Sequence, residues 1–120
     1  MAKKILIIED HPATVEMIRI LLEVEGFEVA VAYNGISGLE KVSSEKPDLI
    51  LLDVMMPEIS GLDVCRELKN KEETKKIPVV IVSIKATEEN VKEGMEAGAN
   101  DYIGKPFDPR KLIDTINKYI

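Results

Sequence analysis

The sequence predicts an α/β domain built on a doubly wound, five-stranded parallel sheet with five helices. Three observations lead there. Short apolar runs alternate five times with longer amphipathic segments over 120 residues, the pattern of a parallel sheet with helical crossovers. Two runs, Leu49 to Leu52 and Val79 to Val82, are apolar throughout, as expected of central strands covered on both faces. Each run ends, on its carboxyl side, at polar or charged residues, where ligands of such sheets bind.

The first strand is Lys4 to Glu9, followed by a helix from about Thr14 to Glu25 whose Val15, Ile18, Leu21 and Leu22 form one apolar stripe. Gly26 follows it at the position where helices commonly turn left-handed. A second strand, Glu28 to Ala32, leads through Asn34 and Gly35 into a helix running to about Glu45, and Asp48 to Asp53 is the third strand. The loop Met55 to Ser60 precedes a helix from about Gly61 to Asn70, and Pro78 to Ser83 is the fourth strand. Thr87 can cap a short, poorly apolar helix to about Glu96, after which Gly98 turns the chain into the fifth strand, Asp101 to Gly104. The last helix has Asp108 as its cap, Pro109 in its first turn, and Leu112, Ile113, Ile116 and Ile120 on one face.

Five alternating units with right-handed crossovers can wind in only a few ways, and the flavodoxin-like order 2-1-3-4-5 leads. Composition narrows function further. A formal charge of −6 argues against a general nucleic-acid surface, and the densest basic stretch, Lys69 to Lys76, is interleaved with Glu72 and Glu73 and reads as a solvated loop. No apolar run exceeds four residues, against the ~20 a spanning helix needs. The lone Cys65 cannot form an internal disulfide, and no Cys/His cluster exists for zinc, so a reducing cytoplasm is the natural compartment. Cys65 itself reads as a small buried hydrophobe. A dinucleotide site is disfavoured because no Gly-rich turn follows the first strand.

The predicted strand order gathers Glu9, Asp10 and Asp53 at the switch point, with Ser83 and Lys105 ending the next two strands. Like charges ~4 Å apart repel by about 4 kcal/mol at an effective dielectric of 20. Three crowded carboxylates therefore call for a cation or a proton. An oxygen donor set favours magnesium, with manganese also fitting. Lys105 adds a positive charge, Ser83 a hydroxyl, and a carboxylate can serve as nucleophile, so the group suits phosphoryl transfer. Taken singly each residue has a plainer reading. Asp10 could cap the first helix, Asp53 could be a turn residue, and Lys105 could be a solvated lysine. Ending a buried strand on an unused charge is costly, however, and the five coincide at one edge.

These residues resemble those of response regulator receiver domains, the CheY-like family of two-component signalling, and the likeness covers essentially the whole chain. It rests on the acidic pair in Ile7-Ile8-Glu9-Asp10, on the segment Pro47 to Pro57 with Gly61 following, and on the block Gly94 to Phe107. The resemblance implies that Asp53 is the phosphoacceptor, taking the group from a phosphohistidine of a sensor histidine kinase or phosphotransfer protein. Asp10 would bind Mg2+ (or Mn2+) directly, Glu9 through a water and Met55 through its backbone carbonyl, while Ser83 and Lys105 hold phosphoryl oxygens. It further implies a cis Lys105–Pro106 bond. Ser83 and Tyr102 act as switch residues that remodel the face of the fourth helix, fifth strand and fifth helix for a downstream protein, an output domain or a homodimer. The plainer reading of Tyr102 is a strand aromatic packing on the sheet. Residues 1–120 then form a single cytoplasmic receiver domain without nucleic-acid or membrane contacts of its own. It is no enzyme acting on other molecules, but an acceptor that catalyses its own phosphorylation and dephosphorylation.

Two departures from the family pattern stand out. Ile84 follows Ser83 where many relatives carry a small residue, so its branched side chain either overhangs the phosphoryl group and slows its loss or packs outward. Glu9 replaces the commoner aspartate, which bears on metal affinity. His11, the only histidine, reads as a hydrophilic loop residue beside the acidic pair, and Met56 and Pro57 shape the loop that presents Asp53. Two other readings compete. A metal-dependent phosphatase with an aspartyl nucleophile needs a second acid two residues after it, where Met55 stands, and a substrate-covering cap. A receiver-like binding module that acts without phosphorylation would be expected to have lost the acceptor or the lysine, and both are present.

Overall fold

A computed structural model describes residues 2–120. The chain runs β1 (Lys4–Ile8), α1 (Pro12–Val24), β2 (Glu28–Ala32), α2 (Gly35–Glu45), β3 (Leu49–Leu52), α3 (Gly61–Lys69), β4 (Val79–Ser83), α4 (Glu88–Glu96), β5 (Asp101–Gly104) and α5 (Pro109–Asn117). All strand pairs are parallel and their order is β2-β1-β3-β4-β5, as the alternation predicts.

The core divides along the sheet because successive side chains of a strand point to opposite faces. Ile5 and Ile7 of β1 pack with Val15, Ile18 and Leu22 of α1 and with Leu112 and Ile116 of α5. Leu6 and Ile8 pack on the other face with Val42 of α2 and Val64, Cys65 and Leu68 of α3. Both faces of β1 and β3 are therefore buried, which is why their sequences show no polar alternation.

Several element ends differ from the predicted ones for local reasons. Helix α1 begins at Pro12, two residues early, because a proline in the first turn needs no backbone donor. Its N-cap is His11, without a side-chain capping bond, so Asp10 is free of the capping role open to it in the sequence. Strand β4 starts at Val79 because Pro78 cannot donate to the ladder. Helix α5 ends at Asn117 rather than reaching Ile120; there Tyr119 turns back and its hydroxyl donates to the Asn100 carbonyl at 2.8 Å. Helix α4 buries only Gly94, as its weak apolar stripe suggests, and is held at its start by a reciprocal cap between Thr87 and Asn90.

The 69–76 stretch is mostly an exposed set of turns, but Lys69 departs from the solvated reading. Its ammonium donates to the carbonyls of Lys75 and Ile77 and to Asn100 Oδ1, tying the α3–β4 and α4–β5 connections together. Burial pushes its pKa down. Among the described residues no helix is long and apolar enough to cross a membrane.

Candidate functional site

The ladder that builds the sheet also places the site. Strands β1 and β3 pair in register through Ile8 and Leu52, and one residue further the Asp53 N–H donates to the Ile8 carbonyl at 3.0 Å. Glu9 is held from the other side, its N–H donating to the Ala32 carbonyl at 3.0 Å. At the far edge the Lys105 N–H donates to the Ser83 carbonyl at 2.9 Å. Glu9, Asp53, Ser83 and Lys105 thus leave four adjacent strands at one level, and Asp10 follows Glu9 into solvent.

Their side chains converge. Oxygens of Glu9, Asp10 and Asp53 lie within 4.8 Å of one another. Like charges at that separation repel by about 3 kcal/mol at an effective dielectric of 20. One cation answers them: Lys105 Nζ donates to Glu9 Oε1 at 2.6 Å and stands 4.0 Å from Asp53 Oδ2. Three carboxylates against one ammonium still leave an excess of negative charge.

Asp53 is only 7% exposed, and its carboxyl is pushed up from 3.8 to about 6. Burial is the first cause and the Glu9 carboxylate the second; Lys105 and the Met55 N–H, which donates to Asp53 Oδ1 at 3.3 Å, pull the other way without offsetting them. The loop after Asp53 returns tightly through Glu58, which takes a left-handed φ of 68°, and the Gly61 N–H donates to the Val54 carbonyl at 3.0 Å. A Cβ at Gly61 would collide with the Asp53 carbonyl oxygen, so only glycine lets α3 start this close to the acceptor strand.

A shallow cavity of about 300 Å³ opens over the carboxylates and is lined by His11, Met55 and Ile84 besides the charged residues. Ile84 is 64% exposed and is among the residues that line this cavity. Ser83 is fully buried, and its Oγ accepts the Lys85 N–H at 3.2 Å. The Lys105–Pro106 bond is cis, as the resemblance implies. His11 lies outside the carboxylate cluster; its backbone N–H donates to Glu9 Oε2 at 3.2 Å while its ring meets the Thr14 hydroxyl. Cys65 is buried, its thiol pushed up by burial, and takes no part.

A groove of about 480 Å³ continues from Asp10 and Met55 toward α4, reaching Lys85, Asn90, Glu93 and Tyr102. The Tyr102 hydroxyl donates to the Lys85 carbonyl, and its ring lies against Gly94, where a Cβ would come within 2.7 Å of the ring. Burial raises the Tyr102 pKa. The sequence singled out Tyr102 but not the Lys85 carbonyl or the bare Gly94 backbone that seat it. A main-chain acceptor carries no side-chain signature, and a glycine inside a helix hints only at close packing.

The chain matches the family model described as response regulator receiver domain over residues 5–117. It is 44% identical over 111 residues to the phosphate regulon transcriptional regulatory protein PhoB of Pseudomonas aeruginosa, covering 92% of this chain and 48% of PhoB. It therefore spans about half the length of the curated relatives it matches. Among solved structures, a putative response regulator from Chloroflexus aurantiacus superposes with a TM-score of 0.95 at 30% identity, covering 99% of this chain and 98% of that one. The receiver domain of the sensor histidine kinase PA1611 from Pseudomonas aeruginosa, with a magnesium ion coordinated in its active-site cleft, superposes with a TM-score of 0.91 at 26% identity, covering 99% and 98%.

Proposed function

This chain belongs to the response regulator receiver domain family of two-component systems, and from that premise we propose that Asp53 is the residue that accepts the phosphoryl group, from a phosphohistidine of a sensor histidine kinase or phosphotransfer protein. The observation that carries this reading is the convergence of Asp53 with Glu9, Asp10 and Lys105 at one end of the sheet. The donor set fits a small hard dication: carboxylate oxygens from three residues, in close reach and short of positive charge. Asp10, Asp53 and the Met55 carbonyl would hold Mg2+ or Mn2+ directly, and Glu9 through a water; the magnesium in the PA1611 receiver cleft supports the assignment. Such an ion, when bound, neutralises charge on the phosphoryl oxygens.

The protein's own groups supply the rest. With its carboxyl pushed up to about 6, Asp53 is mostly ionised at neutral pH, the form that can attack. An Asp53 oxygen forms the O–P bond as the P–N bond to the donor imidazole breaks, and the imidazole keeps the electron pair and takes up a proton. Lys105 and the Ser83 hydroxyl then bind phosphoryl oxygens. Movement of Ser83 loosens or tightens the Lys85 segment to which the Tyr102 hydroxyl is bonded, linking Asp53 to the face of α4, β5 and α5. That face meets the next protein, an output domain or a second copy. Residues 1–120 act as one receiver unit in the cytoplasm, catalysing phosphorylation and dephosphorylation of their own acceptor. Ile84, bordering the cavity, restricts water and slows phosphate loss.

The test is intact-mass analysis after incubation with magnesium and acetyl phosphate. One phosphate adduct is expected on the wild type and none on Asp53→Asn; absence from both, or equal labelling of both, defeats the assignment.

A further inference from the structure

A separate hollow lies between α2 and α3 at the other end of the sheet from Asp53. Pro47 and Ile77 border it just before β3 and β4 begin, about 20 Å along the strands from Asp53 and Ser83. It holds about 530 Å³, more than either cavity described above and within the usual range of small-molecule sites. Its floor is apolar: Val42 of α2 and Leu68 of α3 are buried core residues, and Leu39 and Ile77 are partly buried beside them. The outer wall is braced. The Thr74 hydroxyl donates to the Leu68 carbonyl at 2.6 Å, the Ile77 N–H donates to the Thr74 carbonyl at 3.0 Å, and the Lys69 ammonium holds the Lys75 and Ile77 carbonyls. The hollow is therefore formed by the fold itself, without a ligand to shape it.

The rim carries Lys46 and Lys71 against the single acid Glu73, a local positive excess in a chain whose formal charge is −6. Lys46 closes α2 in the left-handed region, at a φ of 48°, and among the described residues it has no ion pair. Lys71 meets Glu67 at 3.2 Å, an exposed pair of the kind that contributes little and exchanges readily. The carboxyl end of α2 by itself favours a cation, but its fractional charge is smaller than the full charges of the two lysines. An apolar floor under an unpaired ammonium selects a ligand with both characters. We propose that this hollow is a binding site for a small amphipathic carboxylate, with its apolar body over Leu39, Val42, Leu68 and Ile77 and its carboxylate at Lys46. The site shares no residue with the acidic edge around Asp53, so it does not depend on the phosphoryl reading.

The test uses the whole chain and a matched pair of probes, 1-naphthaleneacetate and its neutral amide, titrated while the methyl signals are followed by 13C NMR. The carboxylate is expected to shift the methyls of Leu39, Val42, Leu68 and Ile77 saturably, with a Kd on the order of 1 mM or tighter. The amide, with the same apolar body, should bind about threefold to tenfold more weakly. This comparison needs no variant to fold. Lys46→Gln, at an exposed position, should weaken the carboxylate about threefold or more and change the amide by less than about twofold, a pattern that loss of folding would not produce. Several outcomes overturn the proposal: no saturable shift, shifts centred away from the α2–α3 hollow, equal affinity for acid and amide, or a Lys46→Gln variant that binds both as the wild type does. Repeating the titration on Asp53→Asn should give the same affinities, and a lost response there would place the probe at the acidic edge instead.

Discussion

Replacing Asp53 by asparagine should stabilise the metal-free protein. The carboxyl sits about two pKa units above its ordinary value of 3.8, and each unit corresponds to about 1.4 kcal/mol of preference for the neutral form. Taken whole, that is about 3 kcal/mol of strain carried by the ionised site. The Glu9 repulsion is shared with a second group and the cavity admits solvent, so the net gain is on the order of 1–2 kcal/mol. For a domain of this size it raises Tm by roughly 4–10 °C. Asparagine keeps an oxygen for the Met55 N–H, so the gain isolates the charge. Because the folded pKa lies above the unfolded one, protonation favours the folded state: Asp53's favourable contribution is fully present below about pH 4 and is lost as pH rises through about 6. The advantage of the variant is therefore largest above about pH 7 and fades between about pH 6 and pH 4. Urea denaturation in EDTA at pH values spanning that window measures it. A variant no more stable at neutral pH, or one whose advantage does not change with pH, refutes the electrostatic account.

Mg2+ should raise the Tm of the wild type in proportion to ligand linkage and raise that of Asp53→Asn far less, measured by calorimetry with and without EDTA; equal shifts would separate the cation from Asp53. Ile84→Ala should shorten the lifetime of the phosphorylated protein severalfold by opening the cavity it borders, followed as decay of the phosphorylated mass, with unchanged decay counting against a gating role. Gly94→Ala should cost about 1–3 kcal/mol, because its Cβ would stand 2.7 Å from the Tyr102 ring. Adding Tyr102→Ala should relieve most of that cost, so strictly additive losses in urea denaturation would show that the two do not meet.

Much of the site was legible in the sequence because it is made of strand ends. Apolar runs locate the strands, helical stripes locate the crossovers, and the right-handed crossover rule leaves few orders. Once β1 and β3 are neighbours, Glu9, Asp10 and Asp53 must meet, and Ser83 and Lys105 must flank them. The helix starts were less legible. Asp10 and His11 compete for the same position before Pro12, and local spacing does not say which side chain turns to the helix.

By itself, then, the sequence determined the element order, the sheet topology, and the set of residues that gather at its carboxyl edge, since each follows from short-range periodicity and chain connectivity. Only the tertiary structure decided how those residues pair. Lys105 and Glu9 lie 96 positions apart, and whether the ammonium reaches Glu9 or Asp53 depends on differences of about an ångström in side-chain length and strand register. The acidity of Asp53 was decided there as well, because it depends on how much water and how much positive charge the folded chain leaves around that carboxylate.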